Sequence, residues 1–154
     1  MKGTQKALST LLALAMTAGL AIPAGAAEEE AAVTPYAIPD DVAGKLVILH
    51  TNDTHGADMA VEGECIGTAG VAQLKKDFEA AGANVLLVSA GDTIMGKPLV
   101  SANQGQSAFE FMNAAGYDAM TVGNHELDFG IDNLEKLAES ADFDILCADM
   151  TEES

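Results

Sequence analysis

Two kinds of apolar pattern alternate along this chain of 154 residues. The first kind is a short continuous run rich in Val, Leu, Ile and Ala, which predicts a strand. Four such runs occur, at residues 45–51, 84–90, 117–122 and 143–149. Continuous runs of this kind are typical of parallel strands that are covered on both faces of a sheet. The second kind places apolar residues three or four positions apart and predicts helices at residues 68–82, 107–116 and 131–140.

Each predicted helix carries an apolar stripe along one side. The stripe residues are Val71, Leu74, Phe78 and Ala81 in the first helix, Phe109 and Met112 in the second, and Ile131, Leu134 and Leu137 or Ala138 in the third. Gly82 and Gly116 end the first two helices, because glycine readily adopts the left-handed conformation that closes a helix. The repeated order of strand, loop, helix and strand predicts βαβ units with a mostly parallel sheet, so the fold class is α/β.

The first 44 residues lack this pattern. Lys2 and Lys6 precede a short apolar run that ends in Ala-Gly-Ala, an arrangement typical of a secretory signal peptide over residues 1–26. A membrane anchor is the alternative, but Ser, Thr and Gly interrupt the run, which is short for a span. Residues 27–44 combine a Glu run with two prolines and predict a solvated linker. We therefore expect secretion or export to the periplasm or cell surface, without stable membrane insertion after the signal is cleaved.

The charge balance of the chain excludes some classes of partner. Seven Lys and no Arg stand against 24 Asp and Glu, and the formal net charge is −17. Such a chain is unsuited to binding nucleic acid or anionic lipid through its own charges. An anionic substrate would have to be held by something other than guanidinium groups.

Candidate metal ligands follow three of the four predicted strands. The first strand ends in HTNDTHG, the second in SAGDT and the third in GNHELD, and together these segments supply Asp53, His55, Asp92, Asn124 and His125. Right-handed crossovers place the carboxyl ends of parallel strands on one edge of the sheet, where ligands bind in such folds. Carboxylate, imidazole and amide donors together suit Mn, Zn, Fe, Mg or Ca. Each residue alone is an ordinary loop residue, but their occurrence at three successive strand ends predicts a metal site.

The order of these motifs resembles that of a known family. D-x-H, then G-D, then G-N-H-[DE] is similar to the pattern of the calcineurin-like metallophosphatases. More narrowly, LVILHTNDTHG and YDAMTVGNHELDFG resemble the two signature segments of the secreted 5′-nucleotidase family, which includes UDP-sugar hydrolases and 2′,3′-cyclic-nucleotide phosphodiesterases. The resemblance runs from about Lys45 to the end of the chain. Leu127 stands where that family usually has Phe, and Asp58 where it usually has an apolar residue, and neither departure removes a ligand.

The resemblance implies a fold and a set of metal ligands. The sheet would be the first half of a four-layer α/β/β/α sandwich, and residues 45–154 would form the N-terminal portion of a metallophosphatase domain. Two divalent ions would be bound, drawn from Mn, Zn, Co, Fe or Mg. Asp53 and His55 would hold the first ion, Asp92 would bridge both, and Asn124 would bind the second and touch a phosphate oxygen. Two ions about 3.5–4 Å apart would activate a water and neutralise the phosphoryl oxygens.

The same resemblance implies roles for the residues after Asn124. His125 would contact the substrate and either stabilise developing charge or protonate the leaving group, with Asp128 orienting it through a carboxylate–imidazole hydrogen bond. The position of Asp128 also permits it to cap the helix that follows. Glu126 is not expected to be a direct ligand, and its role stays open. His50 is expected to be packed, or to support the ligands, rather than to bind a metal.

The expected function is metal-dependent hydrolysis of a phosphate ester on extracytoplasmic nucleotides. Nucleoside monophosphates, nucleotide sugars and cyclic nucleotides all fit this half of the site. The family supplies further histidines from later strands and a separate C-terminal domain, and no histidine follows His125 here. We therefore expect this chain by itself to be incomplete. The alternative is a non-catalytic fragment that binds metal or nucleotide.

The four-strand pattern also has a consequence for association. We expect one side of the sheet, or its edge strand, to lack cover within this chain. Because an uncovered apolar face and an open strand edge both favour association, we expect a marginally stable or self-associating chain.

Overall fold

The computed structural model describes residues 37–148 and residue 150 of the chain. The predicted signal peptide, residues 1–26, lies outside the described residues, as does most of the predicted linker. The compact unit that carries the sheet begins at Ile38.

The end of the predicted linker packs on this compact unit. Val42 is buried, and the backbone N–H of Gly44 donates a hydrogen bond to the carbonyl oxygen of Gly82 at 2.8 Å. The residues just before the first strand therefore contact the loop that follows the first helix.

Four parallel strands form one sheet, in the order in which they occur along the chain. They are β1 (Leu46–Thr51), β2 (Asn84–Ser89), β3 (Ala119–Thr121) and β4 (Asp144–Leu146). The predicted parallel sheet and the α/β fold class are confirmed. β3 starts later than predicted. Just before β3, the side-chain carboxylate of Asp118 accepts a hydrogen bond from the backbone N–H of Leu87 at 2.8 Å. In a regular strand pair a backbone carbonyl would accept this bond, so the pairing begins only after Asp118.

Four helices connect the strands or flank the connections. They are α1 (Gly67–Ala80), α2 (Pro98–Ser101), α3 (Gln106–Ala115) and α4 (Ile131–Ser140). The predicted glycine stops are confirmed, because Gly82 and Gly116 have φ of 86° and 72°. The short helix α2 was not predicted, although Pro98 at its start is a residue that favours helix beginnings. Among the described residues, no helix is long and apolar enough to cross a membrane.

The helices enclose the core on one face of the sheet. Leu87 of β2 and Met120 of β3 are buried there, and Phe109 and Met112 of α3 pack with them, as does Leu137 of α4. Burying an apolar side chain of this size contributes about 1.5–3 kcal/mol. This packing fixes β2 and β3, and with them the loops that leave their carboxyl ends.

The opposite face of the sheet is open. Leu46 and Ile48 of β1 are 66% and 59% exposed, and Leu86 and Leu146 on the neighbouring strands are also exposed. The expectation that the strands are covered on both faces is wrong for the described residues, whereas the expectation of an uncovered side is confirmed. His50 lies on this open face because strand side chains alternate. The expectation that His50 is packed is therefore wrong.

Candidate functional site

The loops after β1, β2 and β3 meet at the carboxyl edge of the sheet. The backbone N–H of Asp53 donates to the carbonyl oxygen of Gly91 at 3.2 Å, and that of His55 donates to the carbonyl oxygen of Asp92 at 3.0 Å. The backbone N–H of His125 donates to Oδ1 of Asp92 at 2.9 Å. The loop after β2 is thus tied to both neighbours, which brings the candidate residues to one place.

Donor atoms of three candidate residues converge at this edge. His55, Asp92 and His125 each offer one ligand atom, and these atoms all lie within 4.8 Å of one another. An oxygen of Asp53 lies 3.8 Å from Nε2 of His55. Imidazole and carboxylate donors at this separation fit a divalent cation, because such ions bind a mixture of nitrogen and oxygen ligands. The types of these donor atoms and their spacing therefore fit a divalent metal ion.

The tautomer of His55 suits metal binding. Its Nδ1 atom lies 2.9 Å from the carbonyl oxygen of Met95, and a carbonyl oxygen can only accept a hydrogen bond. Nδ1 therefore carries the hydrogen, and in the neutral ring Nε2 keeps its lone pair. A backbone carbonyl that fixes the ring in this way is the usual support for a histidine ligand.

The backbone is strained where these residues lie. Asp53, His55 and Asp92 have positive φ values of 51°, 47° and 56°, in a region that few residues other than glycine adopt. In the described part of the chain, one further non-glycine residue, Gln104, shares this property. Such conformations persist where the surrounding structure imposes them, and they concentrate at functional sites.

Two glycines allow the loops to approach closely. A Cβ atom on Gly91 would lie 2.6 Å from the backbone nitrogen of Gly123, and one on Gly123 would overlap Oδ1 of Asp92. No larger residue fits either position without moving the neighbouring loop. The contact between the Asp92 and His125 loops therefore depends on these glycines.

His125 and Asp128 form a hydrogen-bonded pair at the rim of the site. Nδ1 of His125 lies 2.7 Å from Oδ2 of Asp128, and this hydrogen bond raises the pKa of His125 because the carboxylate stabilises the imidazolium form. Asp128 does not cap the following helix. α4 begins at Ile131 after Gly130, and no side chain caps it.

Asn124 and Glu126 flank His125 and differ in their surroundings. Asn124 is exposed in the same loop, one position before the 3₁₀ turn His125–Leu127, which sequence analysis did not predict. The side chain of Glu126 is completely buried between the loops that carry Asp92 and His125. The sequence alone assigns Glu126 no role, since no local pattern distinguishes it from an exposed neighbour of a ligand.

Proteins of similar sequence match most of this chain. A 5′-nucleotidase of Vibrio cholerae is 41% identical over 110 residues, which is 69% of this chain and 20% of the relative. Protein UshA of Escherichia coli is 36% identical over 128 residues, which is 80% of this chain and 23% of the relative. The chain thus spans about a fifth of the length of the relatives that it matches.

Solved structures and a family model agree with these relatives. The crystal structure of a 5′-nucleotidase precursor from Thermus thermophilus superposes with a TM-score of 0.58 at 31% identity, covering 66% of this chain and 21% of that one. Residues 46–151 match the model of the calcineurin-like phosphoesterase family, which is more than half of the chain. This chain belongs to the calcineurin-like phosphoesterase family.

Proposed function

We propose that this chain is the N-terminal portion of a divalent-metal-dependent hydrolase that cleaves phosphate esters of nucleotides outside the cytoplasm. The observation that carries the proposal is the convergence of two candidate ligands, His55 and Asp92, with the candidate substrate-contacting residue His125: one nitrogen or oxygen atom of each lies within 4.8 Å of the others. The names of the relatives, 5′-nucleotidase among them, support nucleotides as the substrate class.

Four residues are proposed to hold two divalent ions. Asp53 and His55 would hold one ion, Asn124 would hold the other, and Asp92 would contribute to both. When bound, such ions activate a water for attack and neutralise the phosphoryl oxygens. They would also reverse the local field of a chain whose net charge is −17, which otherwise repels a phosphate ester.

His125 is proposed to act on the substrate rather than to serve as a ligand. With Asp128 bound to Nδ1, the opposite nitrogen, Nε2, is free to face the phosphate ester. An imidazolium there stabilises negative charge or donates a proton to the leaving oxygen. Asn124 contacts a phosphate oxygen beside it. Asp128 keeps the ring oriented and favours its protonated form.

Action outside the cytoplasm rests on the N-terminal sequence. Residues 1–26 combine a basic start, a short apolar run and small residues at the expected cleavage position. Cleavage there would release the catalytic portion to the periplasm, the cell surface or the medium.

Metal titration of the 154-residue chain tests this proposal. We expect Mn²⁺ to bind the chain in calorimetry, with the heat lost in Asp92→Ala and in Asp53→Ala. Asp144→Ala is the matched control, because this exposed carboxylate lies at the amino end of β4, the opposite edge of the sheet. Absence of Mn²⁺ binding by the wild type would contradict the proposal.

A turnover assay separates a hydrolase from a metal-binding fragment. In the longer protein of which this chain is proposed to be a portion, hydrolysis of a nucleoside monophosphate or an aryl phosphate should require Mn²⁺ or Co²⁺ and stop when a chelator is added, whereas this chain alone should show at most trace turnover. Turnover that persists with chelator, or in Asp92→Ala, would contradict a metal-dependent mechanism. Mn²⁺ binding without turnover in the longer protein would favour the non-catalytic alternative.

A further inference from the structure

The carboxylate of Glu126 sits between two loops of the site, and its side chain is 0% exposed. Oε2 accepts hydrogen bonds from the backbone N–H groups of Asp92 and Gly123, each at 2.8 Å. Oε1 accepts from the backbone N–H of Thr93 at 2.7 Å and from its hydroxyl at 2.9 Å. One side chain therefore joins the loop after β2 to the loop after β3.

These four hydrogen bonds use the acceptor capacity of the carboxylate. Each carboxylate oxygen has about two lone-pair sites, and each oxygen of Glu126 already accepts from two donors. A carboxylate in this condition has no lone pair to give to a cation. Glu126 thus differs from its neighbours Asn124 and His125, whose side chains are partly or fully accessible.

The hydrogen bonds of Glu126 act on the residues that offer ligand atoms. The backbone N–H of Asp92 is held by Glu126, while Oδ1 of Asp92 is held by the N–H of His125, one position before Glu126. Each of the two loops therefore donates a hydrogen bond to the other and accepts one from it. This reciprocal pair of bonds stabilises Asp92 in its positive-φ conformation, which costs free energy in an unconstrained loop.

We propose that Glu126 is a positioning residue. It holds the Asp92 and His125 loops at the spacing that a metal requires, without being a ligand itself. The proposal rests on the proposed metal-dependent function for its consequence, but the loop contact can be measured without any metal. Residues that orient ligands in this way typically change metal affinity by about 10–100-fold when they are altered.

Two substitutions disturb this contact to different extents. Glu126→Gln keeps the shape but places an amide NH₂ against two donors, so half of the contact becomes repulsive. Thr93→Val keeps the backbone bond to Glu126 and removes only the hydroxyl, one donor of the four. Glu135→Gln is the matched control, because Glu135 is exposed on α4.

Each variant of the 154-residue chain is examined by three measurements. Calorimetry gives the Mn²⁺ affinity, amide hydrogen exchange by NMR gives the protection of Asp92, Thr93 and Gly123, and denaturant unfolding gives global stability. We expect Glu126→Gln to weaken Mn²⁺ binding at least about tenfold and Thr93→Val to weaken it by less. Both should speed exchange at the three loop amides more than at Leu134 and Leu137, which are buried in α4.

Other results would overturn the proposal. Wild-type affinity and unchanged loop protection in both variants would show that the contact does not position the ligands. Uniform loss of protection that includes Leu134 would show that Glu126 stabilises the whole fold and not the site. If Glu126→Gln does not fold, the same comparison is decided by Thr93→Val.

The binding and exchange results would be different if the proposed metal-dependent function were wrong. If the wild type binds no Mn²⁺, the metal site is refuted, and the exchange data still decide whether Glu126 joins the loops. Selective loss of protection at Asp92 and Gly123 in the variants would support the loop contact. Unaltered protection at both amides would refute it.

Discussion

The Nδ1 atom of His125 lies 2.7 Å from Oδ2 of Asp128, three positions later in the chain. Asp128 is at the end of the 3₁₀ turn that begins at His125, so local geometry brings the two side chains together. The hydrogen bond raises the pKa of His125 above its usual value of 6.5, since the carboxylate stabilises the protonated ring.

The first prediction concerns this pair. We expect Asp128→Asn to lower the pKa of His125, measured from the ring proton shifts in an NMR titration of the metal-free chain. The control is Asp144→Asn, because Asp144 lies at the opposite edge of the sheet. An unchanged titration of His125 in Asp128→Asn would show that Asp128 does not hold the imidazolium.

The same pair has a predictable effect on stability. A histidine whose pKa is raised by folding stabilises the folded state below its unfolded pKa, and this contribution disappears as the pH rises through the folded pKa. Asp128→Asn should therefore cost most stability below pH 6.5 and least well above it. A stability difference that grows with pH would contradict this account.

The second prediction concerns Asp58, which is 9% exposed and has one carboxylate oxygen, Oδ2, that is buried without a hydrogen-bond partner in the described structure. Burial raises the pKa of Asp58 above its usual value of 3.8, although a hydrogen bond from the Thr68 hydroxyl acts in the opposite direction. The folded state therefore binds a proton more readily than the unfolded state. Stability is lost as the pH rises from 3.8 through the folded pKa.

We expect Asp58→Asn to be more stable than the wild type at pH 7, by about 1 kcal/mol, because an ionised group no longer has to be buried. The advantage should shrink as the pH falls, because the raised pKa of Asp58 lets the wild-type carboxyl take up a proton in the folded state. Urea unfolding of both chains at several pH values measures it. An advantage that does not depend on pH would rule out ionisation as the cause.

The third prediction concerns Gly123. A Cβ atom there would overlap Oδ1 of Asp92 and approach Oε2 of Glu126 to 2.9 Å, so Gly123→Ala must push the two loops apart. We expect Mn²⁺ affinity to fall at least about tenfold, the range seen when supports of metal ligands are disturbed.

Gly70→Ala is the control for Gly123→Ala. A Cβ atom at Gly70, in α1, would approach the Cβ atom of Ile66 to 2.8 Å, so this variant also creates a close contact, but in a helix and not between the two loops of the site. Mn²⁺ affinity should not change in this variant. Equal affinities of the two alanine variants would show that the close approach at Gly123 is not needed.

The fourth prediction concerns the open face of the sheet. Ile48 and Leu86 are paired in register on neighbouring strands, and both are exposed there. Because an apolar sheet face of this kind favours association, we expect the chain to form oligomers and the double variant Ile48→Thr, Leu86→Thr to reduce them. Sedimentation over a range of concentrations measures the change.

Leu99→Thr serves as the control for this surface, since Leu99 is exposed but belongs to the helix α2 and not to a strand of the sheet. It should leave association unchanged. A wild-type chain that stays monomeric at all concentrations would show that the open face does not mediate association.

Local patterns in the sequence were enough to predict the secondary-structure elements and their order. Apolar runs and stripes are local properties, so they located four strands and three of the four helices, and Gly82 and Gly116 marked two helix ends. The α/β class followed from the alternation, and the parallel topology placed Asp53, Asp92 and Asn124 at one edge. These conclusions needed no knowledge of distant contacts, because a strand of a βαβ unit has a fixed direction.

Which side chains are buried, and which groups they bond to, depends on contacts between distant parts of the chain. A continuous apolar run is the same whether one face of a strand is covered or both, so only the packing showed that Ile48 and His50 are exposed. In the sequence Glu126 is one more acidic residue, and only the fold brings the backbone N–H groups of Asp92 and Thr93 to its carboxylate. Hydrogen bonds between residues more than 30 positions apart depend on the distance at which the strands pair, and no local pattern encodes that distance.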